Sequence, residues 1–350
     1  MKKKILLYLI CFFALQIKAQ IIPQNGTIAS SPEFIALKNV SVYIRPGLKI
    51  EKASILISNG KIIDIGKKIT TPKNAIEYDL EGKTIVPAFI ELYTNIGMPK
   101  GSEQNYSPRP QIESSKTGPY YWNEAIHPEI EAHNFFTVDS KANENYLKSG
   151  FGFAVSHVQD GIVRGSGTLV SLGDENSSKN TISLKSGMFY SFSKGTSTQS
   201  YPSSQMGSIA LLRQSLYDLK FYSENEKHDQ SISLERWKEG IGLPSLFKVN
   251  DKWEILRAEK IANEFQLKMN YIGSGNEYAA LSSLKSVKGA LIIPLNFPEA
   301  FNVKDPYLAR QIPLSDMKHW ELAASNPSLL KKNGNTICLT YNGSKTPEDF

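Results

Sequence analysis

Tyr93 and Asn95 close an apolar run, Ile85 to Leu92, that is long enough for a buried strand. Strand residues two apart face the same side, so the spacing predicts a phenol and a carboxamide pointing together from the strand end.

Five histidines follow the first twenty residues. His157 stands beside Gln159 and Asp160 after an expected strand, where it could serve as an acid or base; an ordinary hydrogen-bonded strand-end histidine is the plainer reading. His127 and His133 flank Pro128-Glu129-Ile130-Glu131, and a loop metal site there would need a third ligand such as Glu131, at a spacing that matches no established pattern. His228 and His319 sit among polar residues and read as solvent-facing. Gly273-Ser274-Gly275 lacks the bracketing of a nucleophile elbow. Gly165-Ser166-Gly167 has neither a third glycine at dinucleotide spacing nor the Lys-Ser/Thr of a phosphate loop. Cys338 falls in an apolar strand and reads as an inert core thiol. Tyr120-Tyr121-Trp122 could form an interface or carbohydrate platform, or pack its own loop onto the body of the protein.

The elements that must position these residues begin with short β-like runs at 34–44, 53–58, 61–65 and 76–80, with Asn59-Gly60 a hairpin turn between the second and third. These make residues 34–84 a small β-sandwich-like domain. A proline-rich connection covers 98–138, longer than a plain loop and therefore a covering loop or an insertion. A short helix capped by Asp139 or Ser140 ends at Gly150, and strands are expected at 152–157, 168–172 and 188–192. Apolar residues at helical spacing predict helices over 207–222 and 252–267, and strands follow at 267–272, 290–295 and 336–340. Alternating strand and helix argues for parallel β with covering helices, an α/β barrel over 85–350 that carries any site at the C-terminal ends of its strands.

The chain of 350 residues is 41% hydrophobic and 21% charged, ordinary globular composition with length for two domains. Lys2-Lys3-Lys4, the apolar run Ile5 to Ile17 and the small residue Ala19 read as a secretory signal peptide, residues 1–19, followed by an unstructured lead-in over 20–33. Its removal takes four lysines and no acid, lowering the formal charge from +6 to +2. The expected product is exported to the periplasm or the extracellular space, with no membrane attachment once the signal is gone. No Lys/Arg stripe or aromatic-basic interleaving points to nucleic acid. Cys11 leaves with the signal, so Cys338 has no internal disulfide partner. The closing residues Lys345 to Phe350 read as the capped start of a further helix, so that the chain looks like part of a longer protein.

The combination Asp79-x-x-Gly82-x-x-x-x-Pro87-x-Phe89-Ile90-x-Leu92, the small β-domain before it, Gly150-Phe151-Gly152-Phe153-Ala154-Val155 and Arg164-Gly165-Ser166-Gly167-Thr168-Leu169-Val170 resembles the amidohydrolase superfamily, in its imidazolonepropionase-like branch. The resemblance covers residues 34–350 and looks closest to the N-terminal half of very long exported bacterial members. It implies an amidohydrolase-type (β/α)8 barrel, here incomplete at its C-terminus. It also implies hydrolysis of non-peptide C–N bonds by a metal, usually zinc, that lowers the pKa of a bound water to about 7. Family members run on from this stretch into Asp-x-His-x-His, and the positions matching the two histidines are Tyr93 and Asn95. A phenol with a pKa near 10 is an uncommon ligand, and a neutral amide oxygen suits hard ions such as calcium better than zinc. Later strands lead into Gly273-Ser274-Gly275-Asn276-Glu277 and Tyr341-Asn342-Gly343, with no histidine in reach. The resemblance thus leads to an expectation of a degenerate metal site, no cofactor in this segment, and a scaffold role beside a C-terminal amidohydrolase-like half of the same protein. Two alternatives stand beside it: an active metal-dependent amidohydrolase or dipeptidase-like enzyme using zinc through unrecognised ligands, and a ligand-binding or interaction module.

Overall fold

The structure, a computed structural model, describes residues 33–99, 110–173, 177–225, 229–344, 346 and 350. The expected signal peptide, the lead-in up to residue 32, His228 and most of the closing segment 345–350 lie outside these residues. The chain divides between Pro87 and Ala88 into two compact units.

The first unit is one sheet of five strands: β1 (Phe34–Arg45), β2 (Leu48–Ser58), β3 (Lys61–Gly66), β4 (Ile76–Asp79) and β5 (Thr84–Ile85). Its order is β3-β2-β1-β4, with β5 also paired to β1. The Asn59-Gly60 turn joins β2 to β3 with φ of 49° and 72°, the left-handed pair that a tight hairpin requires. Val40, Val42, Ala53 and Ile55 form its buried face.

In the second unit, eight strands form one sheet in chain order: β6 (Phe89–Thr94), β7 (Phe151–Ser156), β8 (Val163–Ser171), β9 (Thr181–Ser191), β10 (Ser245–Lys248), β11 (Met269–Ile272), β12 (Leu291–Pro294) and β13 (Ile337–Thr340). The buried carboxylate of Glu91 on β6 joins the two ends, accepting hydrogen bonds from the Thr340 hydroxyl at 2.6 Å and the Tyr341 main-chain N–H at 2.7 Å. The result is a nearly closed barrel.

Two features differ from the expected pattern. The run Ile85 to Leu92 is not one strand: β5 ends at Ile85, β6 begins at Phe89, and Pro87, which has no N–H to give a ladder, lies in the gap. β6 then continues through Thr94, so Tyr93 lies inside the strand instead of beyond it. The barrel is also mixed, since β8 runs antiparallel to both β7 and β9. The links on either side of β8, 157–162 and 172–180, are shorter than the dozen or more residues of a parallel crossover, so the chain turns back on itself.

Helices cover the later strands. Beyond single turns, these are α1 (Ser140–Lys148), α2 (Gln205–Glu224), α3 (Ile232–Gly240), α4 (Lys252–Phe265), α5 (Leu314–Leu322) and α6 (Asn326–Lys332). Asp139, Ser204, Ser231 and Asp251 cap the first four by accepting main-chain N–H groups of the opening turn. Leu212, Leu216 and Leu219 of α2, Trp237 of α3, and Ile255, Ala258 and Ile261 of α4 pack on the outward side chains Tyr190, Phe247 and Tyr271. No helix among the described residues is long and apolar enough to cross a membrane.

Inside the barrel, each strand gives one side chain to a common layer: Tyr93, Val155, Leu169, Phe189, Leu246, Ile272, Ile292 and Cys338. The strand period of two makes this layer a ruler. Two residues further on, Ser191 and Lys248 end β9 and β10, and His157 and Ser274 lie just past the ends of β7 and β11, so the next layer toward the C-terminal ends is polar.

Candidate active site

The polar layer is organised by Arg164, which enters from the start of β8 and is only 6% exposed. Its Nη1 donates to the Tyr93 hydroxyl at 3.0 Å, its Nη2 to the Ser191 hydroxyl at 2.9 Å and its Nε to the Gly161 carbonyl at 3.0 Å. The guanidinium therefore ties β6 to β9 across the interior, past β7. Gly161, with φ of +83°, makes the turn that delivers it; a Cβ there would lie 2.6 Å from the His127 ring. Burial raises the Tyr93 pKa and Arg164 opposes the rise, so the phenol is neutral at physiological pH.

His157 is fully buried, stacked on Phe189 with ring centres 3.6 Å apart and planes 12° from parallel, and 4.9 Å from the Tyr93 ring. Gly167 makes room for this stack, because a Cβ there would stand 2.5 Å from the Phe189 ring. Among the described residues neither ring nitrogen of His157 has a hydrogen-bond partner. Burial, and then the neighbouring Arg164, push its pKa well down, and the Thr94 carbonyl opposes them only in part, so the ring is neutral.

Lys248, at the end of β10, donates to the Gly273 carbonyl at 3.0 Å. Burial lowers its pKa, Glu277 pulls it back up, and Arg164 lowers it further. Glu277 is fully buried and committed to its own loop: it accepts from the main-chain N–H groups of Ser274 at 2.6 Å and Gly275 at 3.1 Å, and from Asn326 at 2.7 Å.

Tyr93 and Asn95 do not act together. Tyr93 is 4% exposed and engaged by Arg164, whereas Asn95, past the end of β6, is exposed. The loop histidines are also held apart. His127 meets Lys116 at 3.1 Å and lies 4.0 Å from Asp160, while His133 lies 3.8 Å from Glu131, whose other oxygen binds Lys185 at 2.6 Å. His319 is half-buried against Tyr278, bonded at 3.0 Å, instead of facing solvent. Of the aromatic triplet, Tyr121 enters the main core and donates to Asp218 at 2.5 Å, and Trp122 stacks on Tyr201 near the surface. Cys338 takes its place in the inner layer.

Among the described residues no three His, Cys, Asp or Glu side chains converge on a point that could hold a metal ion. The residues that do meet at the strand ends bring two cations, one neutral imidazole and one phenol already bonded to arginine. A zinc ion there would face positive charge from Arg164 and Lys248, so the donor set does not fit zinc. Sequence reasoning missed Arg164, Ser191, Lys248 and Glu277. The signal was present in the strand period: counting two residues on from an inward apolar side chain finds Ser191 and Lys248 as well as His157.

No family model and no curated protein matches the sequence. Solved structures do. An amidohydrolase from Thermotoga maritima superposes with a TM-score of 0.67 at 21% identity, over 90% of this chain and 80% of that one. A β-aspartyl dipeptidase from Fervidobacterium islandicum is matched over 89% of this chain and 73% of that one, with a TM-score of 0.41 and 14% identity. A prolidase solved with N-methylphosphonate-L-proline is matched over 88% and 78%, with a TM-score of 0.43 and 10% identity. The barrel and its N-terminal sheet together have the fold of an amidohydrolase.

Proposed function

We propose that this chain is an amidohydrolase-fold barrel whose own metal site is degenerate, and that it serves as scaffold or partner to a catalytic amidohydrolase-like region elsewhere in the same exported protein. The observation that carries this reading is the Arg164 guanidinium bonded to the Tyr93 phenol. One of the two positions where the resembled family places its first histidine pair thus holds a side chain committed to a cation, and the other, Asn95, is exposed. Hydrolysis of a C–N bond by this segment would require a donor set that the polar layer does not supply.

Metal analysis of the purified segment of residues 20–350 tests the reading. The expected result is zinc well below one equivalent after dialysis against metal-containing buffer, and no gain of amide hydrolysis by the segment when Tyr93 and Asn95 are both replaced by histidine, because Arg164 and Lys248 remain. Stoichiometric zinc in the unaltered segment would overturn it, as would hydrolysis acquired by the double variant.

A further inference from the structure

The polar layer carries more positive charge and more free donors than its surroundings balance. Among the described residues Arg164 uses three of its five N–H donors, all on neutral acceptors: a carbonyl, a phenol and a hydroxyl. Lys248 there uses one of its three, on the Gly273 carbonyl. Among the described residues neither cation has a carboxylate oxygen within 4.0 Å, Glu277 and Glu254 acting on Lys248 from farther away, whereas the buried carboxylates Glu91 and Glu277 each accept several hydrogen bonds. Buried charges are ordinarily paired, since removing an ion from water is costly. Glu277 acts on Lys248 only from a distance, its oxygens being occupied by Ser274, Gly275 and Asn326. Beside Arg164, across their shared neighbour Tyr93, stands the His157 ring, fully buried and with neither nitrogen hydrogen-bonded among the described residues, able to donate through one and accept through the other.

We propose that Arg164, Lys248 and His157 form a binding site for a small oxyanion, a carboxylate or phosphate group, at the C-terminal end of the barrel. An oxyanion offers acceptors only, in the number and sign that these side chains lack. Arg164 presents its remaining N–H groups from a plane fixed by three bonds, and Lys248, half-buried at the strand end, supplies the second charge from the side nearer solvent. The unprotonated His157 adds one neutral N–H. A cation of any kind is excluded from the same place by the charge that attracts the anion. The site is independent of whether a catalytic partner exists.

The test is a titration of the purified protein with inorganic phosphate and, separately, with sodium acetate, at ionic strength held constant with chloride. Imidazole nitrogen resonances are followed by NMR, with the His157 signals assigned by their loss in His157→Gln. The expected result is a saturable shift of the His157 resonances with at least one of the two anions, the tighter one identifying phosphate or carboxylate as the natural group. Lys248→Met should weaken that binding about tenfold or more, the value of one charge-assisted hydrogen bond. Lys220→Met, on the far surface of α2, should leave it unchanged. Arg164→Gln should abolish binding; where it fails to fold by circular dichroism, Lys248→Met decides the matter. Absence of a saturable shift with both anions, or unchanged affinity in Lys248→Met, overturns the proposal. Metal content is measured separately, so failure here leaves the degenerate-metal reading standing on its own test.

Discussion

Replacing Glu91 by alanine removes the only side chain that bonds the first barrel strand to the last among the described residues. Three donors converge on its carboxylate: the main-chain N–H of Tyr93 at 2.8 Å, that of Tyr341 at 2.7 Å and the Thr340 hydroxyl at 2.6 Å. The hydroxyl can rotate to another acceptor, whereas the Tyr93 and Tyr341 amides each lose the carboxylate that accepts from them. At about 1–3 kcal/mol for each unsatisfied group, the loss is roughly 2–6 kcal/mol. Against it stands relief from holding a carboxylate out of water, a cost visible in the upward shift that burial gives the Glu91 pKa despite those three bonds. A net destabilisation of about 3 kcal/mol follows, which in a domain of this size lowers Tm by roughly 6–12 °C. Glu91→Gln keeps one acceptor oxygen and should lose about half as much. Thermal unfolding by circular dichroism gives the magnitude, and amide hydrogen exchange gives the place: protection should fall first at Tyr341 and Tyr93. A Glu91→Ala protein that melts with the parent and keeps Tyr341 protected would falsify the account of how the barrel closes.

Tyr93→Phe deletes the acceptor of Arg164 Nη1 and leaves a buried guanidinium N–H unpaired, so urea denaturation should show a loss of about 1–3 kcal/mol; an unchanged midpoint would mean that the guanidinium finds another partner. His157 and His127 both have folded-state pKa values below the ordinary 6.5, each through burial first. The unfolded chain therefore binds protons that the folded chain refuses once the pH drops below 6.5. Their contribution to stability is fully present above that value and is lost as pH falls toward the folded pKa values. Each histidine contributes at most about 1.4 kcal/mol per pH unit, and His157→Phe should reduce the acid-side slope of stability below pH 6.5 by up to that amount. An unaltered slope in that variant would show that the ring accepts a proton in the folded state.

The parts of the fold that local chemistry dictates were legible in the sequence. Asn59-Gly60 marks a hairpin because only residues tolerant of positive φ fit its two corners, and α2 and α4 show their buried faces at helical spacing. What escaped was set by tertiary context. β10 is Ser-Leu-Phe-Lys, four residues, too short to display any period, and only its pairing with β9 and β11 makes it a strand. The sequence Arg164-Gly165-Ser166-Gly167 invites a test against glycine-rich ligand loops and fails it, yet the glycines serve packing: Gly165, at φ +76°, lies against the Ile130 carbonyl, and Gly167 admits the Phe189 ring. The same stretch was the clue to β8, whose reversed direction follows from the short links at either end. The expected pairing of Tyr93 with Asn95 failed for a simple reason of register, because β6 extends to Thr94 and turns Tyr93 into the interior while the chain leaves the sheet before Asn95.

The composition of the two interior layers separates what holds the barrel from what it is for. The lower layer is apolar and aromatic, one side chain from each strand, and fills the axis by packing alone. Had the upper layer existed only as a structural plug, apolar side chains of similar volume would have filled it at lower cost, since an ion pair or lone ion in a protein interior is often less stable than its hydrophobic replacement. Instead the chain desolvates an arginine and partly buries a lysine without giving either a carboxylate, and leaves an imidazole beside them with both nitrogens unused. Stability does not account for that choice. A ligand does, if it carries the negative charge that the protein withholds.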